Sequence, residues 1–230
     1  MGLFSRKQQK KIDLRQENID SAELANAEKA SENSGGFSEN ADKVANLVKN
    51  NDFTRVNGPF DATELTGLGE RLDAGALWLP IVPEAQIQFS TDESQENIIG
   101  VVYLIADSAL QLQPFAAPKS SGIWEEVRLD MRTSIAKQGG SSKEVSGPFG
   151  TELNAMMPLA GAQNFAPHRF LGIDGPRWLL RATLYGRAGA DQNAAAPLLE
   201  ILQNVAVYRG SEPIVPRSLL PLKLPHLERS

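Results

Sequence analysis

Cysteine is absent from this 230-residue chain, and histidine occurs only twice. The first absence excludes disulfides, thiolate nucleophiles and thiolate-held zinc or iron–sulfur sites. It suits a reducing compartment, and a cytoplasmic location is expected. The second absence leaves His168, beside Pro167 at a strand entry, and His226, near the end of the chain. A serine nucleophile wants a histidine held against it, and zinc wants three or four good ligands. No carboxylates cluster at ligand spacing, so neither a catalytic triad nor a metal site is expected. No apolar run approaches the ~18 residues that span a bilayer, and Met1 to Arg6 lacks the apolar core of a secretory signal. Arg6 also stands where a myristoylation signal wants Ser or Thr. No Gly-Lys-Ser/Thr phosphate loop occurs, and Gly67-Leu68-Gly69 lacks the third glycine of a dinucleotide fingerprint. No cofactor is expected. The pairs Asp92-Glu93 and Glu125-Glu126 are sequence neighbours that do not face each other, so they make no acid–base couple. These absences weigh against an enzyme.

What is present suits a globular protein carrying an unstructured segment. Hydrophobic residues make up 41% and charged residues 22%, with a net charge of −5. Residues 1–50 carry eight basic and eight acidic side chains, so the whole net charge falls on residues 51–230. A mildly acidic domain has no bulk attraction to DNA. Residues 1–52 are rich in Gln, Asn, Ser, Glu and Lys and cannot build a core, so they read as a disordered arm. Its basic start (Arg6, Lys7, Lys10, Lys11, Arg15) offers a weak contact for RNA or lipid. A short helix is possible near Asn40 to Lys49. Residues 53–210 read as one domain. Residues 211–230, punctuated by Pro213, Pro216, Pro221 and Pro225, read as an extended tail.

Within the domain, periodicity gives strands, a helix, strands and a second helix. Ala76 to Pro83 reads as a short edge strand, because prolines hem it in. Gln86 to Phe89 alternates as a strand does. The apolar run Ile98 to Ile105 reads as a strand buried on both faces. Ala109 to Phe115 alternates Leu with Gln and reads as half-buried. The first helix runs from Gly122 to Gln138, with Ser121 as cap and Gly139 as stop. Trp124, Val127, Met131 and Ile135 lie on one stripe of it. Strands follow near Lys143 to Ser146 and Thr151 to Met157, then a loop from Ala160 to Pro167. Phe170 to Ile173 leads into a turn at Asp174-Gly175-Pro176, and Arg177 to Tyr185 leads out. Asp191 or Asn193 caps a helix through Leu198 and Leu202, and Val205 to Tyr208 is a last strand. The fold class expected is α+β: a mainly antiparallel β-sheet with two amphipathic helices packed on it.

The least ordinary feature is a strand rich in arginine. Arg177, Arg181 and Arg187 are spaced by even numbers, so a regular strand puts them on one face with Tyr185. Trp178, Leu180, Ala182 and Leu184 form the opposite, apolar face. Arg169, on the preceding strand, joins the arginine face in one hairpin register and not in the other. Such a row suits an anionic ligand or an acidic partner.

Several ordered blocks carry a resemblance. They include Gly58-Pro59-Phe60-Asp61, Pro80-Ile81-Val82-Pro83, Asp107 to Gln113, Phe115-Ala116-Ala117-Pro118, Gly147 to Leu153, Gly175-Pro176-Arg177-Trp178 and Leu219-Leu220-Pro221-Leu222. Together they resemble the actinobacterial domain-of-unknown-function 3710 family, over about Arg55 to Pro225. The resemblance implies an actinobacterial source and transfers no catalytic residue. The order of elements is also similar to PsbP-like and Mog-type α/β/α sandwiches, which implies a protein-binding module by analogy of fold alone. The expected function is a non-enzymatic protein-binding or scaffolding module with an unknown protein partner. The alternative is a binder of, or enzyme on, a small anionic ligand held by the arginine-bearing strand.

Overall fold

The computed structural model describes residues 58–159 and 164–225. The arm over residues 1–52, its helix near Asn40 to Lys49, the onset of order near Phe53, and His226 all lie outside the described residues. Eleven strands and two α-helices follow one another along the described chain. They are β1 (Phe60–Asp61), β2 (Arg71–Asp73), β3 (Leu77–Pro80), β4 (Gln86–Thr91), β5 (Ile98–Ile105), β6 (Ser108–Ala116), α1 (Trp124–Lys137), β7 (Ser141–Gly147), β8 (Gly150–Pro158), β9 (Phe165–Gly175), β10 (Trp178–Gly186), α2 (Gln192–Asn204) and β11 (Ala206–Val207). Seven of the strands form one antiparallel sheet in the order β4-β5-β6-β10-β9-β8-β7. The other four form a small sheet, β1-β11-β3-β2, in which only β1 and β11 run parallel. The fold is α+β and mostly antiparallel, with two helices.

The faces of the large sheet follow from its register. Leu184 of β10 lies opposite Leu110 of β6, which lies opposite Tyr103 of β5. Residues alternating along each strand keep Leu112, Val101, Leu180, Ala182, Leu171 and Ile173 on that same face. They form the main core with Ala195, Leu198, Ile201 and Leu202 of α2 and with Leu77, Leu79 and Val207 of the small sheet. Each Leu or Ile sealed here contributes about 1.5–3 kcal/mol. Helix α1 lies on the other face. Its buried residues are Trp124, Met131 and Ile135, and it packs on β7, β8 and β9.

Several local expectations are corrected. Helix α1 has no side-chain cap of its own at Ile123. Asp174 of β9 supplies it, accepting from the Ile123 and Trp124 backbone N–H groups at 2.8 and 3.3 Å. Of the expected turn residues Asp174-Gly175-Pro176, only Pro176 is central to the hairpin. Gly175 pairs with Trp178, and the two central residues are Pro176 and Arg177. Gly175 instead makes room for the Trp178 indole, which a Cβ there would overlap. Strand β3 sits between β11 and β2 rather than at an edge, because its proline is its last residue. Strand β6 is not half-buried: Gln113 is sealed and bonded, donating from Nε2 to the Ile99 carbonyl at 3.0 Å. Strand β9 begins at Phe165, inside the stretch read as a loop.

The C-terminal segment packs on the domain. Beyond Leu112, β6 has no β5 residue beside it in the ladder. Residues 217–220 take that edge. Ala116 donates to the Ser218 carbonyl (2.8 Å), Arg217 to the Ala116 carbonyl (2.7 Å) and Leu220 to the Pro114 carbonyl (2.8 Å). Leu220 is fully buried. Arg217 then reaches Glu126 and Asp130 of α1 at 2.7 and 2.8 Å.

Candidate functional site

The arginines singled out by spacing do not converge. Arg177 precedes β10 and occupies the hairpin turn at φ +65°. Arg187 follows β10 in a short 3-10 helix, Arg187–Gly189, and pairs with Asp191 at 2.9 Å on the surface. Arg169 lies opposite Leu184, so it points to the α2 face, away from Arg181. Only Arg181 and Tyr185 share the face that the even spacing gave them. The physical reason is that the regular strand is shorter than the spacing argument needs, and that the hairpin adopts the register excluding Arg169.

Arg181 is a buried cation with no carboxylate partner among the described residues. Its Nη2 donates to Gln113 Oε1, and its guanidinium lies over the Phe115 ring, 5.1 Å from the centroid. Its Nε and Nη1 have no hydrogen-bond partner among the described residues. Burial lowers its pKa to about 10. On the same face, the His168 ring stacks between Phe170 and Tyr185, with centroids 5.9 and 5.8 Å away. Burial pushes its pKa below the ordinary histidine value, opposed by a contact of Nδ1 with the Ala166 carbonyl.

The residues that do gather at a cavity are on the α2 face, at the β7 end of the sheet. One row across the sheet reads Lys143, Asn154, Arg169, Leu184. The change from polar to apolar along that row marks where α2 stops covering the sheet. Beyond it an open cleft of about 750 Å³ lies over β7, β8 and β9, walled by Gly189, Ala190, Gln192 and Leu199. Its floor holds the Arg169–Glu152 ion pair, with Arg169 Nη2 2.9 Å and Nε 3.2 Å from Glu152 Oε2. Both side chains are at least nine-tenths buried. The second carboxylate oxygen, Glu152 Oε1, and Asn154 Oδ1 are buried without a hydrogen-bond partner among the described residues. Lys143 is exposed at the rim. Towards the β8–β9 connection the same face turns apolar: Met156 pairs with Pro167 and Pro158 with Phe165. Met156 is 41% exposed, Leu159 37% and Phe165 49%.

Strand β7 is also a sheet edge, pairing only with β8 among the described residues. Gly147 and Gly150 close a two-residue loop. Lys143 and Val145 then bond towards β8, and Ser142, Glu144 and Ser146 turn their N–H and C=O groups outward. On the α1 side, Glu144 is held by Arg128 and Arg132 at 3.0 and 3.3 Å, which depresses its pKa. Glu152, Asn154 and Lys143 escaped the sequence reading. The alternation over β8 was visible, but which of its faces a helix covers was not. No group of three or more His, Cys, Asp or Glu at metal-holding distance occurs among the described residues. No helix there is long and apolar enough to cross a membrane.

By class this is a mostly antiparallel sheet with a helix on each face. The chain belongs to the protein family of unknown function DUF3710, whose pattern matches residues 58–229. No curated protein matches the sequence. Among solved structures, it is similar to the solution structure of cyanobacterial PsbP (CyanoP) from Synechocystis sp. PCC 6803. That likeness has a TM-score of 0.36 and 11% identity, over 58% of this chain and 87% of the other.

Proposed function

We propose that this chain is a cytoplasmic, non-enzymatic protein-binding module of an actinobacterium, which captures an extended segment of a partner along β7 with side chains lying in the cleft. One observation carries the reading: the cleft left uncovered by α2 runs beside a strand whose outer backbone groups pair with no other strand among the described residues. A partner strand added there would gain main-chain hydrogen bonds from β7, while its alternate side chains meet the cleft. The exposed Met156, Leu159 and Phe165 at one end supply an apolar contact. A small anionic ligand is the weaker reading, since it needs Arg169, Arg177, Arg181 and Arg187 to converge.

Affinity purification of the full chain tests this, with Met156→Glu in the cleft lining, Phe165→Asp on the apolar surface at its end, and Ile81→Asp as a control elsewhere on the surface. A partner held by the wild type and by Ile81→Asp, but lost from Met156→Glu and Phe165→Asp, is the expected result. Partners retained equally by all four proteins would count against the cleft. Deleting residues 1–52 and measuring salt-dependent RNA binding separates any contribution of the basic arm.

A further inference from the structure

We infer that the segment captured along β7 carries two consecutive acidic residues, one facing Lys143 on the cleft side of the sheet and its neighbour facing Arg132 on the α1 side. This rests on the protein-binding reading above and adds the chemistry of the guest. The groups concerned stand on β7 itself and on the helix beside it. A strand added at that edge lies about 4.8 Å from β7, so its side chains come within reach of them.

Both sides of this edge carry a surplus of positive charge, in a chain whose net charge is −5. On the cleft side Lys143 is exposed and has no ion-pair partner among the described residues. The carboxylate of β8 on that face, Glu152, is already held by Arg169. On the α1 side two guanidiniums share one oxygen, Glu144 Oε1, from Arg128 at 3.0 Å and Arg132 at 3.3 Å. One carboxylate against two cations leaves a positive charge over. It falls at Arg132, whose side chain is 47% exposed against 12% for Arg128.

The chain path sets these cations along the edge. Helix α1 ends at Lys137, and the Gly140 N–H donates to the Ile135 carbonyl at 2.9 Å as the chain turns back into β7 at Ser141. Counted from that turn at about 1.5 Å per helical residue and about 3.3 Å per strand residue, Arg132 stands beside Ser142 and Lys143, and Arg128 nearer Val145. The first-turn acids Glu125 and Glu126 lie at the far end, where Trp124 Nε1 reaches the carbonyl of Thr151, the partner of Ser146. Lys143 and Arg132 therefore sit at the same end of the edge on opposite faces. A guest residue opposite Lys143 points to the cleft side, and its neighbour opposite Ser142 points to the α1 side. A carboxylate opposite Glu144 would instead meet a like charge. The two acids are thus consecutive in the guest, whichever way its strand runs.

The probes are three N-acetylated, C-amidated octapeptides of alternating valine and threonine, titrated into the ¹⁵N-labelled full-length protein. One carries Asp-Glu at its centre and one carries Asn-Gln there. The third carries the same two acids separated by one residue, so that both fall on one face. The Asp-Glu peptide should move the β7 amides and bind about fivefold tighter than Asn-Gln and about twofold tighter than the split peptide. Its advantage should shrink as salt is raised. Lys143→Gln and Arg132→Gln, both surface changes, should each lower the fivefold ratio to about twofold. An Asn-Gln or split peptide that binds along β7 as tightly as Asp-Glu overturns the acidic pair and leaves strand addition standing. If no peptide moves a β7 amide, both readings fall. A dimer in sedimentation, with β7 amides that shift on dilution of the protein alone, makes a second copy the occupant and overturns the assignment.

Discussion

Trp124 lies flat against Gly172, so that a Cβ on the glycine would overlap the indole ring. The indole Nε1 donates to the Thr151 carbonyl at 2.7 Å, which ties the start of α1 to β8. Helix, β8 and β9 are thus fixed at one point. Gly172→Ala should force Trp124 away and destabilise the domain by about 1–3 kcal/mol. Urea unfolding followed by tryptophan fluorescence measures it; an unchanged midpoint would mean that the indole is not held there.

A second tryptophan anchors the small sheet to the large one. Trp178 Nε1 donates to Asp61 Oδ2 at 2.6 Å, and Asp61 also accepts from the Thr63 backbone N–H at 2.9 Å. Asp61→Ala strands the buried indole N–H and removes the cap of the short helix Ala62–Glu64. The expected loss is about 2–3 kcal/mol, more than for an exposed capping residue. Calorimetry of the variant beside Trp178→Phe, with the double variant, would give a coupling between the two sites; strict additivity would contradict the bond.

How much of this was legible in sequence depends on where each residue's partner lies. The stripe of α1 and the Asp191 cap of α2 are local features, and both appear where periodicity put them. The cap of α1 is not local. Asp174 lies fifty residues away, and its adjacency to Gly175 imitated a turn. Gln113 imitated a solvent-facing residue because alternation cannot reveal that a buried arginine waits across the strand. The cleft depends on strand register and on the length of α2 together, and neither can be read from one segment.

The true turn leads to a further expectation. Arg177 adopts φ +65°, as at the second central residue of a type II turn, where glycine is favoured. Its carbonyl accepts from Ala117 and Arg209, bonds that any residue keeps. Arg177→Gly should therefore leave the hairpin intact and raise stability by up to about 1 kcal/mol, since the left-handed conformation costs a side chain roughly 1–2 kcal/mol. A fall in melting temperature would refute this.

The Arg169–Glu152 pair is buried beneath the cleft. Arg169→Met alone leaves a sealed carboxylate without its cation and should cost about 3–5 kcal/mol. Arg169→Met with Glu152→Gln should recover much of that loss. A thermal or urea double-mutant cycle tests it, and a double variant as unstable as the single one would show that packing, not charge, dominates.

His168 predicts a pH dependence. Its folded-state pKa lies below the ordinary 6.5 because burial disfavours the imidazolium. The unfolded chain then binds the proton more readily. The stability conferred is present above pH 6.5 and drains away as pH falls towards the lower folded value. His168→Asn should flatten the stability profile below pH 6.5, measured by chemical denaturation from neutral to acid pH. An unaltered slope would assign the acid sensitivity to other groups.

The strip at residues 217–220 that borders Pro114 to Ala116 has a consequence for biogenesis. Roughly a hundred residues of polypeptide separate the two, and at about 5–20 residues per second the ribosome takes about 5–20 s to deliver the second after the first. Throughout that interval the nascent sheet has an open slot beside Pro114 and Ala116, and only the last stretch of the described chain to emerge can close it.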